Sequence, residues 1–232
     1  MRRRDDARGP GTGGEAVEPE HVIARGRRVY LRTLVPADLQ FLSEWADDPF
    51  LQRMVGSEFL RTFKHAYDKD PSFYEAVLTD PSQVVLVIAA VERPGGPRWK
   101  KPLGLVRLFS IHLQEGYAFL ETLLGDQQAI RHGFGVEAGK LICAYGLDVL
   151  GLRRIEAKVY EYNRLSINSL LRHGFRQEGV LRKAGFFEGQ HYDVLVFGIL
   201  REELEAQRQT EADQDSYHFP FTGPPGTSDE PA

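Results

Sequence analysis

Polar and apolar positions alternate through residues 27–34, where Val29, Leu31 and Thr33 stand opposite Arg28, Tyr30 and Arg32, a period of two that predicts a strand with one covered face. The period then lengthens. Across "PADLQFLSEWADD", Leu39, Leu42 and Trp45 recur on one side of a helix, which is predicted to stop at Asp48-Pro49 because the residue before a proline leaves helical geometry. Residues 57–78 predict a further helical region. Two apolar runs, "QVVLVIAAVE" and "PLGLVRLFSIH", flank the turn segment "RPGGPRWKK", and "YAFLETLLG" follows at once, so residues 83–125 read as an antiparallel meander. In "AIRHGFGVEAGKLICAYG" the helical period returns, carried by Ala138, Leu141, Ile142, Tyr145 and Val149 and closed by Gly151. "RRIEAKVYEYN" is again a strand, with Ile155, Ala157 and Val159 on its covered side. A helix follows between a cap at Asn163 and a stop at Gly174, and "FRQEGVL" and "YDVLVFGIL" close the chain as strands that pair across residues 182–191. The expected fold class is α/β with a mixed central sheet: meander, helix, strand, helix and closing hairpin.

Composition narrows the class without changing the picture. The chain has 232 residues, 42% hydrophobic and 27% charged, with a net charge of -4, which describes one globular domain rather than a disordered or disulfide-built chain. The folded unit is expected at residues 22–204, between flexible segments at 1–21 and 205–232. Tyr217, Phe219 and Phe221 interrupt the polar C-terminal segment. Arg2, Arg3 and Arg4 are followed at once by Asp5 and Asp6 and by no apolar run, so the start does not read as a secretory signal, and no stretch is apolar enough to span a membrane. Nothing favours nucleic acid. The single cysteine, Cys143, excludes an intrachain disulfide, fits a reducing cytoplasm, and reads as packing among apolar helix neighbours.

Chemistry concentrates at Gly133 and Gly135, which expose bare backbone at a helix start, where unpaired N–H groups and the helix dipole attract phosphate. Three ligand classes use such a loop. A dinucleotide fits Gly133, Gly135 and Ala138, with Glu156 about 20 residues on as the ribose acid, but in that fingerprint the first glycine comes straight off a strand. Here "GDQQAIRH" intervenes and the preceding strands form a meander. A nucleoside triphosphate fits worse, because Gly139-Lys140 is followed by Leu141 and Phe134 takes the place of the first glycine. Coenzyme A needs a pyrophosphate site at a helix start and an extended arm between two strands, and strand, loop, helix and parallel strand supply both.

At this point the residues resemble the GNAT superfamily of N-acetyltransferases and, within it, the RimJ/RimL branch. "RVYLRTLVPADLQFLSEW" is similar to that branch's opening, "RHGFGVEA" to its acyl-CoA loop, "NRLSINSLLRHGFRQEGVLR" to its later helix and strand, and "EGQHYDVLVFGIL" to its closing hairpin. Two positions depart from the pattern. Ile130 stands where the loop usually carries Gln or Arg, and Leu170 stands where many members carry the tyrosine that protonates the departing thiolate.

The resemblance implies acetyl-CoA held by Arg131, His132, Gly133, Phe134, Gly135 and Val136, with a backbone N–H near Leu123 or Leu124 facing the oxyanion and Asn163 either bonding the pantetheine arm or only capping its helix. Glu121, an acid in an apolar strand, is the candidate for taking the amine proton, with a pKa expected to be raised by burial; it otherwise points to solvent or pairs with an arginine. Ser166 is the candidate hydroxyl near the sulfur, or else serves backbone groups in the first turn of its helix. Tyr160, Tyr162, His173, His191, Tyr192 and Asp193 are further candidates for the acceptor side. The implied reaction moves acetyl from acetyl-CoA to a primary amine by direct attack in a ternary complex, a protein N-terminus first and small amines such as polyamines, amino acids or aminoglycosides next. A homodimer remains open, and the competing class is an acyl-CoA-binding sensor or scaffold without turnover.

Overall fold

Alternating stretches of this chain assemble into one eight-stranded sheet in the order β1-β2-β3-β4-β5-β6-β8-β7. The strands are β1 (Val22–Arg25), β2 (Val29–Thr33), β3 (Gln83–Ala90), β4 (Gly104–His112), β5 (Tyr117–Leu124), β6 (Arg154–Tyr160), β7 (Arg176–Phe187) and β8 (Gln190–Leu200). In this computed structural model the described residues are 20–56, 59–62, 73–92, 99, 101–125, 127–130 and 132–210. Arg131, most of the turn segment at 93–100, and Tyr217, Phe219 and Phe221 lie outside them. The helices that position the site are α1 (Leu39–Asp47), α2 (Pro49–Met54), α3 (Phe73–Thr79), α4 (Phe134–Asp148), α5 (Arg164–His173) and α6 (Arg201–Thr210).

The mixed sheet matches the expected class: β3, β4 and β5 are an antiparallel meander, β5 and β6 are parallel, and β8 pairs antiparallel with β6 and β7. Apolar side chains pack on both faces. Leu141, Ile142 and Cys143 of α4 and Phe175, Phe197 and Ile199 fill one core, and Leu42, Trp45, Leu51, Val87, Leu105 and Leu123 fill the other beneath α1 and α2.

Four elements differ from the sequence pattern. A short edge strand, β1, precedes the expected first strand and pairs with it. Asp48-Pro49 ends α1, as expected, and also begins α2: Asp48 Oδ1 accepts from Phe50 N at 2.8 Å and Leu51 N at 3.1 Å, and a proline in the first turn lacks only an N–H that has no partner there anyway. The segment expected to connect the last two strands is itself strand. β7 runs to Phe187 through two irregularities in register, and the turn is Glu188-Gly189, both at positive φ (47° and 78°), as a tight hairpin requires. Residues 205–210, read as part of the tail, belong to α6, whose Leu204 is buried and whose Arg208 pairs with Asp148 at 2.9 Å.

Candidate functional site

The parallel strands β5 and β6 pair only through Tyr117↔Arg154, Ala118↔Ile155 and Phe119↔Glu156, and beyond Phe119 they are no longer paired. Their unpaired ends flank a cavity of about 870 Å³. Strand geometry fixes which backbone groups face the gap. Gly125 N donates to Leu103 O at 2.9 Å, so by alternation Leu123 turns its N–H toward β4, whereas Thr122 and Leu124 turn theirs toward the gap. On the opposite wall Glu161 N donates to Asp193 O at 3.0 Å, which leaves Lys158 and Tyr160 facing inward with their backbone groups. The gap is thus a slot in the sheet with strand edges on both sides, the shape an extended chain needs.

At one mouth stands the start of α4. Gly133 caps it at φ 78° with no side-chain hydrogen bond to the first-turn amides, so that turn presents bare N–H groups. A Cβ placed on Gly135 would meet only Leu124 Cδ1 at 3.4 Å and Thr122 Cγ2 at 3.8 Å, an ordinary contact that points it into the cavity. Bare backbone here is therefore an open cradle, and the residues fit a phosphate-bearing cofactor. The loop before it takes one 3-10 turn, Gln127–Ala129, with Ala129 buried, and Ile130 lines the cavity. Phe134 is packed in the core against Trp99, so only its backbone is available, and His132 stacks on Phe134 at 5.7 Å. Arg28 straps the loop from β2: its Nη1 donates to His132 O at 2.8 Å and its Nε to Glu137 Oε2 at 2.8 Å.

The α5 side brings Ser166 to the cavity. Asn163, 2% exposed, donates from Nδ2 to Ser166 Oγ at 2.8 Å and to Met54 O at 2.6 Å, while its Oδ1 accepts from Ser166 N at 3.0 Å. Both amide donors are engaged within the protein, so Asn163 caps α5 and holds Ser166, whose hydroxyl proton stays available to the cavity. The neighbouring Tyr162 donates to Arg53 O at 2.7 Å. Burial, then the adjacent Tyr160 and Tyr192, push the Tyr162 phenol up to about 12, which keeps it a neutral donor. Consecutive residues of the β6–α5 loop thereby satisfy consecutive carbonyls at the end of α2. Leu170 is buried at the cavity wall and has no proton to give.

His173 is buried at the cavity wall on the α4 side. It packs beside α4, where a Cβ on Gly139 would lie 3.2 Å from its Nδ1, and burial, then the Lys140 charge, lower its pKa to about 3. Cys143 is wholly buried and its thiol is pushed up by desolvation, so it is a packing group.

The face of the gap beneath α2 is built from distant segments. Glu121 lines it with both carboxylate oxygens on Arg107, at 3.2 Å from Nε and 3.3 Å from Nη2. Charge-assisted bonds of this kind are usually about 2.7–2.9 Å, so the pair is slack. Arg107 is itself held between the rings of Phe59 (4.7 Å) and Phe109 (4.3 Å). Lys158 lies over Phe119 at 4.9 Å. Tyr160 lines the same wall; Tyr162 stacks on it and Tyr192 meets Tyr162 edge-on, Asp193 accepts from Lys183 N at 2.9 Å, and His191 packs on Phe186 beside an exposed turn. Leu123 packs under α1, with its N–H toward β4, so of the two strand positions expected near the acyl oxygen the gap receives Leu124. Thr122 and Gly139 line the cavity, and Arg28 and Arg107 hold its loop and Glu121; the sequence pattern did not single out these four for the site. Arg107 and Glu121 did leave a trace: each is a charge within an apolar strand.

Comparisons with known proteins identify the family and the fold. Residues 28–176 match the model of the family described as "Acetyltransferase (GNAT) domain". The uncharacterized N-acetyltransferase YoaA of Bacillus subtilis is 41% identical over 31% of this chain and 40% of its own length. The alpha/beta-tubulin-N-acetyltransferase 9 of Mus musculus is 27% identical over 68% of the chain and 66% of its own length. These matches span less than two thirds of either relative. Among solved structures, spermidine N-acetyltransferase from Vibrio cholerae in complex with CoA and spermine superposes with a TM-score of 0.65 at 21% identity, over 76% of this chain and 98% of that one, a likeness of fold. The chain belongs to the GNAT acetyltransferase family, whose enzymes are acyltransferases that use acetyl-CoA.

Proposed function

We propose that this protein transfers the acetyl group of acetyl-CoA to a primary amine by direct attack in a ternary complex, with the diphosphate on the amides of residues 132–136 and the acyl arm in the slot between β5 and β6. The single observation behind this reading is the parting of β5 from β6 directly beside a helix start that is bare of side-chain caps. Acetyl-CoA supplies an activated thioester. The chain's own residues do the rest.

A lysine-like amine has a pKa of about 10.4 and must lose a proton before it attacks. Glu121 takes that proton, directly or through a water, as the N–C bond forms and the C–S bond breaks. Its pairing with Arg107 holds the carboxylate in place at the cavity wall. Leu124 N–H donates to the acyl oxygen as negative charge develops there. Ser166 gives its proton to the departing sulfur, with Asn163 fixing the hydroxyl's direction. The four matching segments further favour the RimJ/RimL branch, for which a protein N-terminal amine is the first acceptor to test, and the relative named for tubulin favours a protein acceptor. A thiol-release screen of acetyl-CoA against peptides and small amines tests the function: acetyl-dependent thiol release with at least one amine is expected, and acetyl-CoA binding with no turnover across the panel would instead make the protein an acyl-CoA sensor.

A further inference from the structure

The acceptor wall has a chemistry of its own. Above Glu121 the cavity is bounded by Phe50 and Met54 of α2 and Val55 just after it, by Phe109 and Phe119 of the meander, and by Val194 of β8. Among the described residues that line the cavity, Glu121 is the one acid, and Arg107 already balances it, whereas Lys158 and Arg172 add positive charge. Resting on the acetyl-transfer reading, we propose that the acceptor is an amine with an apolar group next to the reacting nitrogen, and that polyamines are poor acceptors.

Two opposing costs decide this. A polyamine carries further ammonium groups, each of which must be desolvated against an apolar wall or lie near Lys158, with no second carboxylate among the described lining residues to pair it. An acceptor with a leucine-sized or phenylalanine-sized side chain instead removes that group's apolar surface from water against the same wall, and one methylene in such a pocket already discriminates about 10-fold or more. The wall therefore selects against added charge and for added apolar surface. Its favourable term is also insensitive to salt, unlike recognition of a polycation by carboxylates.

The test compares kcat/KM, referred to the neutral amine present at the assay pH because α-amines and alkylamines differ in pKa by more than about 2 units, by thiol release from acetyl-CoA for leucinamide, phenylalaninamide, 3-methylbutylamine, glycinamide and spermidine, at low and moderate salt, with acetyl-CoA affinity measured in parallel. The apolar amines are expected to exceed glycinamide about 10-fold or more, to exceed spermidine, and to keep their KM as salt rises. Leucinamide ahead of 3-methylbutylamine would assign the amine to an amino-acid or peptide end, and the reverse to an alkylamine; both support the proposal. Met54→Ala and Val194→Ala should each shrink the leucinamide-to-glycinamide ratio. Spermidine as the best acceptor, or equal rates for leucinamide and glycinamide, overturns the substrate class while leaving acetyl transfer intact. Tight acetyl-CoA binding without acetylation of any of the five overturns it as well, and failure to bind acetyl-CoA overturns both readings.

Discussion

The two faces of the slot between β5 and β6 are built on different principles. On the α4 side the proposed recognition rests on what is missing: Gly133 and Gly135 leave backbone amides bare, and Phe134 is turned into the core. On the α2 side it rests on what is present: Glu121, Arg107 and a wall of aromatic and aliphatic side chains from four separate elements. A backbone cradle tolerates wide change in sequence provided nothing fills it, which suits a ligand common to a whole family. A wall made of side chains changes with each substitution, which suits an acceptor that differs between members.

The largest effect should come from breaking the side-chain face alone. Glu121→Gln keeps the shape of the strand and should slow turnover about 100-fold while leaving acetyl-CoA affinity unchanged. Much of that rate should return as pH rises, because more acceptor is then already neutral. Steady-state rates across pH, with affinity measured by calorimetry, check both parts, and an equal loss at every pH would remove Glu121 from proton transfer.

Breaking the backbone face should give the complementary result. Gly135→Val places a branched side chain in the cradle, where the first contact of a Cβ is an ordinary 3.4 Å, so the fold should persist. Acetyl-CoA binding should weaken about 10- to 100-fold, the scale of one or two charge-assisted bonds. Unchanged affinity in a folded variant would move the diphosphate elsewhere.

Ser166, held by Asn163 at the start of α5, should matter less. A thiolate with a cysteine-like pKa of about 8.5 leaves readily by itself, so Ser166→Ala should cost about 10-fold in turnover, without the recovery at high pH. A loss larger than that of Glu121→Gln would reverse the assignment of the demanding step.

The smallest functional effect belongs to His173, which touches stability. Its folded pKa of about 3 lies below the ordinary value near 6.5, so below about pH 6.5 the unfolded chain takes up a proton that the folded chain refuses. Stability should therefore be undiminished by this group above that pH and should fall by up to about 1.4 kcal/mol per pH unit as pH drops toward 3. His173→Gln should flatten this part of the profile in thermal unfolding; an unchanged slope would assign it to carboxylates.

The same contrast explains what could be read from the chain. The α4 loop, the Asn163 cap and the meander were legible because their signals are local: glycines before an apolar helix, an Asx cap, strict alternation. The Glu121–Arg107 pair was legible only in part: pairing with an arginine was one of the readings of Glu121, but which arginine is fixed only by the β4–β5 register, across 14 residues. Helix α2 was hidden because Asp48-Pro49 is at once a stop for one helix and a capped start for the next. The long β7 was hidden because Arg182 and Lys183 interrupt its apolar pattern at an exposed edge, with Lys183 at φ 53° beside a break in register. His173 is buried between α5 and α4 at the cavity wall, which the sequence could not show because it does not say which side of α5 packs on α4.

The most direct test of a slot with two distinct faces is the electron density of the protein crystallised with CoA. The account predicts the diphosphate on the backbone amides of residues 132–136 and the sulfur between β5 and β6, with Ser166 on one side and Glu121 across the sheet on the other. CoA seated against Phe50 and Met54, or outside the slot altogether, would contradict it.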